Sequence, residues 1–262
     1  MKTTKPDFNL RKIFAAALAG AALVAAAAGP QLVGHRGCNI GVENTADAFR
    51  NGIARGYRYI ETDVRVSADT AMVLSHDTDT RRLGGNLEVA SATLAELRAE
   101  TYTQTRGDST YTARICTLGE YLDICREGGV RPVIELKWAT GINSDDCSLI
   151  PALMDTIAAA GMTDRAIILT SMRPCLEYIR ANYPDMELQF LGRTGWTDRI
   201  AWCDSLRLHP DIAHDFLTPE AVERCHRAGL YVNSWTVDDP ARADSLAAMG
   251  VDFITTNRLE PR

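Results

Sequence analysis

Short apolar runs rich in β-branched residues alternate with stretches of helical period along most of this chain. The runs fall at 31–35, 59–66, 132–137, 166–171, 187–191, 206–209, 231–237 and 252–255, which gives eight candidate strands. Helical patterns lie between them at 45–55, 149–160, 174–182, 219–228 and 240–249. Gly56, Gly161, Gly229 and Gly250 follow four of these, where a left-handed residue stops a helix. Strand–helix alternation over the whole length implies parallel strands joined by right-handed crossovers, and eight such units close an α/β barrel. One place breaks the rhythm. Residues 64–76 read strand, a Ser67-Ala68-Asp69-Thr70 turn and a return strand at 72–76, with no room for a helix. That predicts a hairpin above the barrel mouth. The connection 77–130 then holds helical turns at 93–100 and 117–125, a small insertion after the second strand.

Composition narrows this picture. At 262 residues and 46% hydrophobic, the chain is the size of one TIM (β/α)8 barrel. A net charge of -6 excludes the basic footprint of a nucleic-acid binder, so an anionic ligand must meet local positive charge. Lys2, Lys5, Arg11 and Lys12 precede an Ala-rich apolar run at 13–28, the layout of a secretory signal peptide. The expected organisation is a signal peptide or N-terminal anchor at 1–28 and a barrel at 29–262. The protein is expected to be exported, periplasmic or extracellular, touching a membrane only through that segment if it stays uncleaved. Seven cysteines, at 38, 116, 125, 147, 175, 203 and 225, cannot all pair internally and hold no CxxC spacing. None is given a role.

Chemistry collects where three apolar runs end in ionisable groups. His35 and Arg36 close the first strand; Glu61 and Asp63, two apart, share one side of the second; Glu135 and Lys137 do the same on the third. In a parallel barrel these are the C-terminal strand ends, the face that carries active sites. Three converging carboxylates repel unless a hard divalent cation, Mg²⁺ or Ca²⁺, neutralises them. Lys137 and Arg36 can then hold the oxygens of a phosphate. This pattern predicts a metal-assisted phosphodiesterase centre.

The motifs resemble those of the glycerophosphodiester phosphodiesterase family. His35-Arg36-Gly37, Glu43-Asn44-Thr45, Glu61-Thr62-Asp63, His76-Asp77 and Glu135-Leu136-Lys137 stand in the family's order, and 232–237 with 250–257 look like its closing strands. The resemblance implies a barrel hydrolase that cleaves small-molecule glycerophosphodiesters to glycerol 3-phosphate and an alcohol. It further implies His35 and His76 as acid and base, with one divalent ion on Glu61, Asp63 and Glu135. Two departures stand out. Val42 replaces a usual Pro, a change in loop rigidity, and Asp77 leads into Thr78-Asp79-Thr80-Arg81-Arg82 instead of a Leu-x-Arg-Thr pattern.

Two imidazoles near neutral pKa can serve the two proton transfers of phosphodiester cleavage, while Arg36 and Lys137 compensate charge on phosphorus. Glu43 either supports this site or favours the first turn of its helix. Trp235 either packs the barrel or shapes the glycerol pocket from the rim. His214-Asp215 is read as a decoy pair, and His209 and His226 as structural. Two other functions compete. A phospholipase on the same barrel plan, sphingomyelinase D-like or phosphatidylinositol-specific, needs an apolar rim, whereas 83–114 is mostly polar. A non-catalytic phosphate-binding barrel predicts the loss of a histidine or carboxylate, and all five are present.

Overall fold

The computed structural model describes residues 29–261; the expected signal peptide or anchor at 1–28 lies outside the described residues. Among the described residues no helix is long and apolar enough to cross a membrane. The elements follow in chain order. β1 (Gln31–Gly34), α1 (Ala46–Ala54), β2 (Tyr59–Val66) and β3 (Met72–Leu74) lead into α2 (Leu94–Ala99), β4 (Tyr102–Arg106), β5 (Ser109–Ala113) and α3 (Leu118–Glu127). Then come β6 (Arg131–Leu136), α4 (Ile150–Ala159), β7 (Ile167–Thr170), α5 (Arg173–Asn182), β8 (Glu187–Gly192) and α6 (Ile200–Leu206). β9 (Leu208–Ala213), α7 (Pro219–Arg227), β10 (Asn233–Trp235), α8 (Pro240–Ala248) and β11 (Phe253–Thr256) complete the chain.

β1, β2 and β6 to β11 pair in parallel, and β1 meets both β11 and β2, so the ring closes as a TIM (β/α)8 barrel. β3 runs antiparallel on the far edge of β2, outside the ring, as the hairpin pattern requires. The four helix-stop glycines all take positive φ, and capping boxes at Thr93/Glu96 and Thr117/Glu120 start α2 and α3. The main core lies between barrel and helices, with Phe49, Tyr121, Phe190 and Leu153 fully enclosed. Val33, Val133, Ile167 and Leu169 fill part of the barrel interior.

Three expectations change. The strand expected at 206–209 is β9, displaced to Leu208–Ala213, because α6 takes residues up to Leu206 and turns at Arg207 with φ 50°. Pro210, which suggests a strand end, instead pairs with Phe190; one lost donor is tolerated by an otherwise intact ladder. Within 77–130, α3 belongs to the outer helical ring, where it packs against α1, and the polar stretch 102–113 forms the hairpin β4–β5. Val42 is no mere change of loop stiffness: it is buried beneath the insertion with Val73, Val89, Leu97, Tyr102 and Ile115.

Candidate active site

Strand register assembles the acidic centre. β2 and β6 pair with Asp63 beside Glu135, and the two-residue period puts Glu61 on the same inward side. Oxygens of Glu61, Asp63 and Glu135 lie within 4.8 Å of one another. Glu61 Oε2 accepts from the Arg36 backbone N–H at 2.8 Å, but its Oε1 is buried without a partner. Asp63 Oδ1 also lacks a hydrogen bond, with the Lys137 ammonium 3.2 Å away and off axis. Lys137 Nζ donates to Glu135 Oε1 at 2.7 Å.

The three carboxyls are electrostatically unequal. Burial, then the charges of Asp63 and Glu135, push Glu61 well above the usual carboxylate range. Burial and Asp63 likewise raise Glu135 to about 7, against the pull of Lys137. For Asp63 burial acts upward too, but Lys137 and Arg36 outweigh it and hold the group below its ordinary value. Two buried carboxylate oxygens that accept no hydrogen bond, in an all-oxygen donor set within 4.8 Å, fit a hard divalent cation. Glu61, Asp63 and Glu135 are the residues that would hold it.

His35 leaves β1 with its N–H bonded to Thr256 and its Nδ1 2.8 Å from Asn257 Oδ1, so Nε2 faces Glu61 Oε2 at 4.0 Å. Burial first, and Arg36 second, lower its pKa to about 4. His76 follows β3, anchored where the Ser75 N–H bonds to the Asp63 carbonyl and Arg65 donates to the His76 carbonyl at 2.7 Å. Its Nδ1 is 2.7 Å from Asp77 Oδ1. Burial lowers its pKa, with Asp63 and Asp77 opposing.

Arg36 and Lys137 reach the mouth already engaged. Arg36 donates to Glu43 Oε1 at 2.8 Å and its Nε is 3.2 Å from Asp63 Oδ2. Glu43 is buried and receives Arg82 through two contacts, at 2.6 and 3.0 Å, and Gln104 at 2.9 Å. Its carboxylate thus bonds three side chains, Arg36, Arg82 and Gln104. Trp235 ends β10, half-buried; its Nε1 donates to the Asp211 carbonyl at 3.2 Å and its ring faces Arg193 at 4.8 Å. The decoy His214 pairs with Asp215 outside this cluster. His209 stacks on Tyr231 at 3.6 Å, and His226 bonds to Asp252 at 2.9 Å.

Several contributors are given no role in the sequence reading. Asn44 takes φ 58°, and its amide donates to Asp63 Oδ2 while accepting from Thr62 and the Asp63 N–H. Arg82 joins Asp77 to Glu43, and Gln104 brings the β4–β5 hairpin onto Glu43. Asp238 holds the Asn257 amide at 2.8 Å and through it His35. Asp211, fully buried on β9, has Oδ1 without a partner. Asn44, in the helix-opening motif and tolerant of left-handed backbone, carried the one usable signal.

A parallel barrel with a cluster of buried carboxyls and cations at the C-terminal ends of its strands has the layout of a barrel enzyme, and comparison gives the family. The profile of the glycerophosphoryl diester phosphodiesterase family matches residues 34–260. A glycerophosphodiester phosphodiesterase of Caldanaerobacter subterraneus subsp. tengcongensis is 28% identical over 235 residues, covering 86% of this chain and 93% of its own. A phosphodiesterase of Oleispira antarctica, solved with the product sn-glycerol-3-phosphate, is similar with a TM-score of 0.74 at 21% identity, covering 89% and 95% of the two chains. A glycerophosphodiester phosphodiesterase of Parabacteroides distasonis gives 0.73 at 23% identity, covering 87% and 93%. At these identities both solved structures bear on fold alone. The chain belongs to the glycerophosphoryl diester phosphodiesterase family and is a phosphoric diester hydrolase.

Proposed function

We propose that this protein hydrolyses glycerophosphodiesters to glycerol 3-phosphate and an alcohol, with His35 and His76 as the proton-transfer pair. The observation that carries the reading is the acidic trio with its two buried oxygens that accept no hydrogen bond, placed beside an imidazole at 4.0 Å. Glu61, Asp63 and Glu135 would hold a divalent ion, Mg²⁺ or Ca²⁺, which when bound would supply Lewis-acid stabilisation of charge on phosphorus.

The chain's own groups divide the remaining work by their partners. Asn257 offers His35 an amide oxygen, which accepts Nδ1–H but does not neutralise an imidazolium, and Arg36 stands beside it. Burial first and Arg36 second keep His35 neutral against the Asn257 bond, which favours the charged ring, and Nε2 is free to take the proton of the attacking hydroxyl. His76 instead bonds to the Asp77 carboxylate, which offsets the charge of a protonated ring. It is the acid that protonates the leaving alkoxide. Arg36 and Lys137 orient and stabilise the non-bridging oxygens, and Glu43 with Arg82 and Gln104 fixes Arg36. Trp235 bounds the pocket for the glycerol. Export directed by residues 1–28 completes the proposal and is checked by N-terminal sequencing of mature protein.

The test is release of glycerol 3-phosphate from glycerophosphocholine and glycerophosphoethanolamine, with EDTA, Mg²⁺ and Ca²⁺ compared. EDTA should abolish release, one or both ions should restore it, and His35→Ala and His76→Ala should each lower kcat by about 10²–10⁴-fold. Folded variants that keep wild-type turnover would refute the histidine roles. Among the described residues the exposed large apolar side chains are Trp138, 65% exposed beside Lys137, and Phe216, 39% exposed just past the end of β9, and these are what the phospholipase reading would use. Lysophospholipid belongs in the same assay, and faster turnover of it would reverse the substrate order.

A further inference from the structure

The loop from β6 to α4 begins at Lys137, two residues past Glu135, and ends in a tight structure built on Asn143. The Asn143 side chain donates to the Ala139 carbonyl at 2.9 Å and accepts from the N–H groups of Asp145 and Asp146 at 3.0 Å. This fold-back directs Cys147 toward α5. Its Sγ lies 3.8 Å from Sγ of Cys175, in the first turn of that helix, and both thiols also point at the Asn143 carbonyl, at 3.7 and 3.3 Å. Both cysteines are free thiols, Cys147 half-buried and Cys175 buried.

We propose that Cys147 and Cys175 form a disulfide on meeting a disulfide oxidant, tying the loop beside the catalytic mouth to α5. The sulfurs are already in contact. A bond of about 2.05 Å asks them to approach by roughly 1.8 Å, within reach of a side-chain rotation at the loop cysteine. Cys147 is the more accessible partner and attacks first: its thiolate displaces one thiol from the oxidant and leaves a mixed disulfide. Cys175 then attacks the Cys147 sulfur, releasing the second thiol. Two protein thiols are oxidised, one external disulfide is reduced to two thiols, and the two protons end on those thiols. The bond closes a loop across a sequence separation of 28 residues, so oxidation should raise the melting temperature by about 5–10 °C.

The experiment compares the full chain after oxidised glutathione and after dithiothreitol, by non-reducing peptide mapping and thermal melting. A peptide linking Cys147 to Cys175, with the oxidised form melting several degrees higher, is expected. Cys147→Ser and Cys175→Ala should each fold and lose the redox dependence of melting. Free alkylation of both cysteines after oxidation, linkage of either to another cysteine, or a redox shift that survives in Cys147→Ser overturns the proposal.

Discussion

Glu43→Gln is the sharpest probe of how the mouth is held together. The carboxylate is 6% exposed and is bonded to Arg36, Arg82 and Gln104. Burial alone would raise its pKa; the Arg82 hydrogen bond, with the Arg36 and Arg82 charges, reverses that and lowers it from 4.5 to about 2. Such a drop corresponds to about 3 kcal/mol of preference for the ionised form. The folded pKa is depressed, so this stabilisation is complete above pH 4.5 and is lost as pH falls through 2. Gln is nearly isosteric and cannot ionise. Urea unfolding at pH 7 should therefore place the variant about 3 kcal/mol below the parent, and the gap should shrink to about 1.5 kcal/mol at pH 3. Release of Arg36 from its anchor should also reduce kcat/KM on glycerophosphocholine by at least about tenfold. A gap under about 0.5 kcal/mol that stays constant from pH 7 to pH 3 would refute the reasoning, since the arginines would then be neutralised elsewhere.

Gly37→Ala should destabilise by about 3 kcal/mol or more in urea unfolding, because Gly37 has φ 98° and an added Cβ would meet the Ala48 carbonyl carbon at 2.6 Å. His209, lowered to about 4 chiefly by burial, binds fewer protons folded than unfolded between pH 4 and 6.5. Stability should fall by up to about 3 kcal/mol as pH drops through that window, and His209→Phe, which keeps the stack on Tyr231, should flatten the profile of Tm against pH.

The barrel and the acidic trio were legible because both are written in short-range periods. Glu61 and Asp63 on one strand, and Glu135 and Lys137 on the next, share a side by the two-residue alternation alone. The glycines that end helices announce where each strand begins. What stayed hidden depends on partners distant in sequence. Gln104 meets Glu43 across 61 residues, and Arg82 meets it across 39, from an insertion whose polar strands resemble loop. The alternating Thr103, Thr105, Thr110 and Thr112 around Gly107-Asp108 were a hairpin signal, but their apolar side is only Tyr102, Tyr111 and Ala113 against a small satellite core. The β9 boundary was missed for a related reason. Pro210 ordinarily marks an end, and only the closed ring shows that β8 and β10 hold the strand in place on both sides.

The charges at the mouth bear on the divalent ion independently of any motif. Glu43, Glu61, Asp63, Asp77 and Glu135 are five carboxyls; Arg36, Arg65, Arg82, Arg106 and Lys137 are five cations bonded to them or to the loops that carry them. With every acid ionised the cluster is neutral as a whole, yet burial first and the neighbouring carboxylates second raise Glu135 to about 7 and push Glu61 well above its ordinary value. A divalent cation would give the cluster two positive charges, and a phosphodiester monoanion would then lower this to one. A monovalent ion would leave one positive charge before substrate arrived and none after. The same count explains why a chain of net charge -6 can attract an anionic substrate without a basic surface. The required positive charge resides in the loaded site, and binding of diester and ion should accordingly be mutually reinforcing: saturating diester should lower the apparent Kd for Mg²⁺ or Ca²⁺ in the His76→Ala variant, where turnover is suppressed.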